Sequence, residues 1–488
     1  VAGKSTIAVA VATAPTTFDP AKGSNTPDGQ LMFDLAYAPL ISLNADGTLG
    51  PGLATSWNYT DQTLTGFELH LRPDAKFSDG TAVTAQSVVN SLQHEREANG
   101  PVAIYVNEIP SATAVDASTV LLHLKRADPQ IGLLLTQRFL IGEMVGPTGL
   151  ANPTKLGTTT DGAGPYMLDP SSTVANDHYT YVPNPHYWDQ SAIHFKTFTV
   201  KVIANPQTAL NALKQGQIAY TGGSFATVDT AKSQGLTVNS TLSSWYGVFL
   251  WDRTGALVPA LKNIQVRQAL EYALDRPGLT KALFGSYGVP NDQISIAGYE
   301  KDGYDPAYES HYTYDVAKAK SLLAAAGYPN GFSMTLGGTL AYGNGVVMAQ
   351  AVADQWAKIG VKAKIQAYPT IPDMLTPWLG KKLPGIAGFY DAQPMFIEYG
   401  QALDPKAGTF NPFETSDPQL TAAAAAAYSD TDATTLPAAW RAVTDRAMDL
   451  AWYDPIATGA TIDYSAKDLQ GVALSPTSFV PDPTRFHY

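Results

Sequence analysis

Two hydrophobic periods alternate along this chain, and that alternation restricts its fold more than any other feature. Phe67, Leu69 and Leu71 alternate with Glu68, His70 and Arg72, the period-two pattern of a strand with one buried face. Val120, Leu122 and Leu124 repeat it. Val266, Ala269, Leu270, Ala273 and Leu274 instead fall at i, i+3, i+4, i+7 and i+8, which is one face of a helix. The two periods then follow one another directly. Residues 346–359 read as a helix closed by Gly360, and Val361, Ala363 and Ile365 as the strand after it. Such alternation of β and α predicts an α/β protein.

Local signals place further elements. Thr84 is positioned to cap a helix whose buried stripe is Val88, Val89 and Leu92. Asp275, with Pro277 in the first turn, opens another. Asp315 opens a third, which turns Leu322, Leu323 and Ala326 inward and stops at Gly327. Residues 6–11 read as a buried strand, Asn44-Ala45-Asp46-Gly47 as a hairpin tip, and the glycines and proline of residues 162–166 as a crossing between domains.

At roughly 150 residues per domain, 488 residues correspond to about three domain-sized units. Hydrophobic residues make up 45% and charged residues 15%, which is enough apolar surface for a sizeable core. The chain has no cysteine, so thiol nucleophiles, thiolate metal sites and disulfides are excluded. The formal net charge of −12 argues against a nucleic-acid partner; it reads first as solubility and second as a bias toward cationic or zwitterionic ligands, and net charge alone does not choose between them. No stretch approaches the ~18 consecutive apolar residues of a membrane span.

Catalytic signatures are missing. There is no Gly-x-Ser-x-Gly elbow, no phosphate loop and no dinucleotide fingerprint. His94-Glu95 resembles the start of a zinc helix, but Ala98 stands where the second histidine belongs. His178, His186 and His194 share no helical face, because Pro183 and Pro185 interrupt them. We therefore expect no catalytic residue, no metal and no cofactor. The chain does carry 8 Trp, 25 Tyr and 17 Phe, and Trp245, Tyr246, Trp251, Tyr368, Trp378, Phe389 and Tyr390 stand in loop-like context near predicted strand ends. They suit a cleft that holds an organic ligand by stacking and a few polar contacts.

A string of motifs in order carries a family resemblance. Phe18-Asp19-Pro20-Ala21 and Gly52-Leu53-Ala54-Thr55-Ser56-Trp57 are followed by the block from Phe67 to Thr81, which contains Leu71-Arg72-Pro73-Asp74-Ala75-Lys76-Phe77-Ser78-Asp79-Gly80. Gly164-Pro165-Tyr166, Asn184-Pro185-His186-Tyr187-Trp188, Val266-Arg267-Gln268-Ala269-Leu270 and Leu322-Leu323-Ala324-Ala325-Ala326-Gly327-Tyr328 come next. The whole chain resembles the family 5 extracellular solute-binding proteins, the dipeptide- and oligopeptide-binding components of bacterial ABC importers.

The resemblance implies a two-lobed clamp of the periplasmic-binding-protein class, type II, in its large three-domain cluster with discontinuous domains. Domain I would combine residues 1–36, 165–255 and 460–488, with domain II at 37–164 and domain III at 256–459. Positional matching implies ligand contacts from Asn25, Tyr105, Trp245, Tyr246, Trp251, Trp378, Tyr390 and Asp391. In peptide-binding members an aspartate in the last segment pairs with the ligand's α-amino group, and Asp391 is the nearest match. The family's Asp-Pro-Asp-like run after it is replaced here by Ala392-Gln393-Pro394-Met395-Phe396. Asp79-Gly80 is expected as a turn, Arg267 as a helix-surface or lobe-interface charge, and Trp57 and Trp188 as packing residues. The expected partners are a small organic ligand, with a peptide favoured, and an ABC permease, for a monomer exported and anchored through a lipidated cysteine upstream of Val1. A non-peptide solute, a carboxylate-dependent hydrolase and a sensor without transport are the alternatives.

Overall fold

The computed structural model of the chain describes residues 4–23, 26–339, 344–407, 409–432, 434–475, 478 and 480–488. Its contacts divide it into two units, Val1–Thr241 with Thr461–Tyr488, and Leu242–Ala460.

The first unit contains β1 (Thr6–Val11), β2 (Ile41–Leu43), β3 (Leu49–Pro51), β4 (Ala54–Tyr59), β5 (Gly66–Leu71), β6 (Ser111–Ala114), β7 (Thr119–His123), β8 (Tyr166–Leu168), β9 (His178–Pro183), β10 (Thr197–Val202) and β11 (Tyr220–Gly222). β1 lies between β10 and β11 and runs parallel to both, so its backbone is paired on both sides by strands some two hundred positions away. Parallel strands in one sheet require a crossover, and the helix Pro206–Lys214 supplies it from β10 to β11 on the other side of β1, burying Ala209, Leu210, Ala212 and Leu213. β9 and β8 extend this sheet antiparallel beyond β10, and residues 463–465 close its other side against β11.

A separate antiparallel sheet in the order β4-β5-β7-β6 holds the two alternating segments read from sequence. Asn44-Ala45-Asp46-Gly47 turns β2 into β3 as expected, with Asp46 accepting from the Thr48 backbone N–H at 3.0 Å. Helix α1 (Pro27–Ala36) is capped by Thr26, and α2 (Ala85–Ala98) by Thr84 in a reciprocal box with Ser87. α2 packs on β6 and β7, burying Val88 and Leu92 but also Ser91 and Glu95, while Val89 is only half-buried.

Two motifs singled out in the sequence meet here. A Cβ at Gly164 would lie 2.5 Å from the carbonyl carbon of Ala36, so only glycine allows this close approach of two backbones. Asn184 then holds the segment from the other side, its Nδ2 donating to Gly164 O and its backbone N–H to Pro165 O, both at 2.8 Å.

The second unit is entered along β12 (Thr237–Leu250), contains β13 (Gly288–Pro290), β14 (Ser333–Thr339), β15 (Lys362–Tyr368) and β16 (Gly385–Asp391), and is left along β17 (Tyr453–Ser465). Its strand order is β15-β14-β16-β12-β17, with β13 on β17. β14 is parallel to β15 and β16, whereas β12 is antiparallel to β16. The expected helix spans Gly345–Ala357 and packs on β14, β15 and β16. β15 forms the edge, and its exposed Lys362 and Lys364 discourage a further strand from pairing there. Asp275 and Asp315 cap their helices, accepting from Gly278 N and Lys318 N. In the second of these Leu323 is buried, while Leu322 and Ala326 are half-buried.

Arg267 corrects the sequence reading. It is no surface charge: only 5% of it is exposed, its Nε donates to Leu450 O at 3.0 Å and its Nη1 to Leu261 O at 2.7 Å. Burial, with the neighbouring Arg253, pulls its pKa down to about 10. The guanidinium ties its helix to the short helical turn at Leu261 and to the end of the helix Leu436–Asp449, and nothing local in sequence marks the Leu450 carbonyl, 183 residues away, as an acceptor.

Candidate ligand-binding site

Four of the eight predicted contact residues, Trp245, Tyr246, Tyr390 and Asp391, gather on two adjacent strands of the second unit. From Ser244 to Leu250, β12 pairs residue by residue with β16 from Asp391 back to Gly385. Directly paired residues share a face, and faces alternate along each strand. The register therefore sorts the predicted residues and their strand partners into two groups. Ser244, Asp391, Tyr246 and Phe389 lie on one face, and Trp245 and Tyr390 on the other.

On the first face Asp391 is half-buried at the end of β16, and the Ser244 hydroxyl donates to its Oδ1 at 2.8 Å. The Tyr246 ring stacks on Phe389 at 5.2 Å and meets the edge of Phe284 at 4.8 Å. Burial, and then the charge of Asp391, raise the Tyr246 phenol far above its ordinary pKa, so it stays a neutral donor beside the carboxylate. The non-acidic run after Asp391 continues the ladder, because Ala392 N–H donates to Ser243 O at 2.8 Å. Pro394 then opens the short helix Met395–Glu398.

The second face is an aromatic core. Trp245 stacks on Phe249 at 4.8 Å and meets Tyr453 at 5.7 Å, and its Nε1 donates to Glu398 Oε1 at 3.2 Å. Burial pushes the Glu398 carboxyl well up, opposed by the bond from Trp245. Tyr390 hydrogen-bonds Gln401 and packs on Phe410. Trp251 stacks on Trp378 at 4.3 Å, and Trp378 Nε1 donates to Thr409 O at 2.6 Å.

Of these aromatic residues, expected in loop-like context, only Trp251 lies outside a helix or strand. Trp245 and Tyr246 are in β12, Tyr390 in β16 and Trp378 in the helix Ile371–Leu379, while Trp251 directly follows β12. Trp245 is 1% exposed and Trp251 is fully buried. The run Trp-Tyr-Gly-Val-Phe-Leu-Trp has no polar alternation because both faces of β12 are covered, and a strand of that kind leaves no period to read. Ser244, Glu398 and Gln401 were missed, since each is identified only by the strand or turn folded beside it.

Tyr105 belongs to the first unit, where it is half-buried in the short helix Ala103–Val106 and packs against Phe139 at 4.9 Å. Asn25 lies outside the described residues. Among the described residues no group of three or more His, Asp or Glu side chains has the geometry to hold a metal ion.

A model of the bacterial extracellular solute-binding proteins, family 5, matches residues 48–384. The chain belongs to this family. It is 28% identical over 370 residues to the glutathione-binding protein GsiB of Escherichia coli K12, which covers 74% of this chain and 69% of that protein. Among solved structures, AgaA from A. tumefaciens R10 in complex with agropinic acid superposes with a TM-score of 0.83 at 22% identity, covering 99% of this chain and 98% of that one. DppA from Helicobacter pylori, in complex with the peptide STSA, gives 0.82 at 20% identity over 100% and 98%. These likenesses show the fold expected from the sequence, that of the large α/β periplasmic binding proteins. Members of family 5 are extracellular by description, and among the described residues no helix is long and apolar enough to cross a membrane.

Proposed function

We propose that this family 5 protein captures a short peptide, or a related solute with a free α-ammonium group, and delivers it to the permease of an ABC importer. One observation carries the reading: Asp391 stands half-exposed at the end of β16, held by Ser244 beside the neutral ring of Tyr246. A carboxylate oriented by a hydroxyl against aromatic carbon suits an ammonium group, which pairs with the charge and lays its carbon skeleton on the rings. The relatives fit this chemistry, since one is named for glutathione and another is complexed with a peptide.

Recognition led by stacking is less well supported. Trp245, Trp251 and Trp378 are between 0% and 4% exposed and already packed against other rings. They support the wall from behind. Delivery requires no bond to be made or broken, only a ligand held more tightly by the closed than by the open form, which shifts the population toward closure. Native mass spectrometry of gently purified protein tests the proposal. A retained peptide or amino-acid derivative is expected, and a retained neutral sugar would overturn the assignment of ligand class.

A further inference from the structure

The strand order of the second unit ends at β15, and no strand among the described residues pairs with its outer side. Along its inner side β15 runs parallel to β14, with Lys362 beside Ser333 and Lys364 beside Thr335. Paired residues share a face, so one face of this edge carries two ammonium groups and two hydroxyls. The other face carries Ala363 and Ile365, both half-buried.

The lysine face borders a groove of about 530 Å³, to which Lys382, from the loop before β16, and the exposed Leu257 also contribute. None of the described residues that line it is acidic, and Lys362, Lys364 and Lys382 have no hydrogen bond or ion pair among the described residues. Acids are not scarce in this chain, which has 43 of them against 31 Lys and Arg. Residues 355–390 invert that balance, with five lysines and a single acid, Asp373. That acid is already engaged, its Oδ2 accepting from Thr370 N and Oγ1 at 3.1 and 2.7 Å. The neighbouring lysines are satisfied too, Lys381 by Glu414 and Lys358 by Gln355, both at 2.8 Å. The three in the groove are left without a counter-charge.

An edge strand offers a partner a row of unpaired backbone N–H and C=O groups as well as the side chains of its two faces. Lys362 and Lys364 repel a basic strand and leave a neutral one facing uncompensated charge, so this edge selects by charge. A free anion or a bilayer would answer the ammonium groups but leave the backbone unpaired. At ~3.3 Å per residue, alternate residues of an added strand stand about 6.6 Å apart, the same spacing as Lys362 and Lys364. Carboxylates at those positions meet the lysines, and the residues between them fall on the face of Ala363 and Ile365, which suits β-branched apolar side chains. We propose that β15 is an acceptor edge for an extended segment of another protein in which acidic residues alternate with β-branched apolar ones, paired along its backbone and read by Lys362, Lys364 and Lys382. The surface is independent of the reading given to Asp391.

Isothermal titration of the full chain with acetyl-Glu-Val-Glu-Val-Glu-amide, and with the same peptide carrying Ser or Lys in place of Glu, tests it. The acetyl group removes the α-ammonium, so failure here is distinguishable from failure of the proposed function. Saturable binding of the Glu peptide alone is expected, weakened at least about tenfold by Lys362→Glu combined with Lys364→Glu. That double variant should accept the Lys peptide instead, a gain that an unfolded chain could not show. Of two analogues of the Glu peptide, methylated on the backbone nitrogens of either the Val or the Glu residues, the one whose N–H groups point at β15 should lose binding. Equal binding of the Ser peptide, unaltered affinity in the charge-reversed variant, equal binding of both methylated analogues, or no saturable binding up to about 2 mM would each overturn the proposal. Retention on phosphatidylglycerol vesicles through these lysines, without binding of the Glu peptide, would overturn it in favour of a membrane surface.

Discussion

Ser244 and Asp391, 147 residues apart in the chain, are direct partners across the β12–β16 ladder, and the Ser244 hydroxyl donates to Asp391 Oδ1 at 2.8 Å. The bond limits the carboxylate to one orientation at the strand end, so an incoming ammonium meets a charge already in place.

Asp391→Ala is expected to weaken a peptide with a free α-amine by at least roughly 2 kcal/mol where closure over the ligand buries the charge pair, because one partner is then left uncompensated. Ser244→Ala should cost less, about 0.5–1.5 kcal/mol, because it removes one orienting hydrogen bond and leaves the charge. Titration calorimetry with a cognate peptide and its N-acetylated form decides the matter. An unchanged dissociation constant in Asp391→Ala would take this residue out of the site.

Trp378→Ala should act on folding before it acts on binding. The indole is 4% exposed, stacked on Trp251 and bonded to Thr409 O, so its truncation is expected to cost about 3–5 kcal/mol in urea unfolding. A variant of undiminished stability that has lost its ligand would instead make Trp378 a contact surface.

Arg267→Lys is expected to destabilise the second unit by about 1.5–3 kcal/mol, although it keeps the charge. Nε and Nη1 reach the carbonyls of Leu450 and Leu261 from one planar fork, which a single ammonium cannot reproduce. A urea midpoint equal to that of the parent would show that the fork is dispensable.

Stability should fall as pH rises. Asp34, Glu95, Glu143 and Glu398 all have carboxyl pKa values raised in the fold, in each case first by burial. The folded protein therefore binds these protons more tightly than the unfolded chain does. Their contribution is complete below the unfolded carboxyl pKa, at about pH 4, and is lost as pH rises toward the folded values. Urea unfolding between pH 5 and 8 should show the decline, and Glu143→Gln, which removes one of these acids, should flatten it. A parent profile that rises over this range would contradict the assignment.

What could be read along the chain was what acts locally. Thr84, Asp275 and Asp315 were found as caps because each meets a backbone N–H three residues ahead, at 3.2, 3.1 and 2.8 Å. The hairpin tip at Asn44 to Gly47 and the alternating strands were legible for the same reason. Glu95 was not, because on α2 it continues the Val88–Leu92 stripe inward, and a glutamate on a helix normally signals solvent.

The sequence by itself determined the α/β class, the caps and turns, and membership of a solute-binding family, since these depend on residue order and on contacts only a few positions apart. Tertiary structure decided which side chains stand together. It joined Asp391 to Ser244, turned most of the predicted aromatic contacts into a packed core, and buried Arg267 as a fork between carbonyls. The physical reason is strand pairing. A ladder between segments more than a hundred residues apart sets which face each side chain takes, and a shift of one residue in that register would send every one of them to the other side.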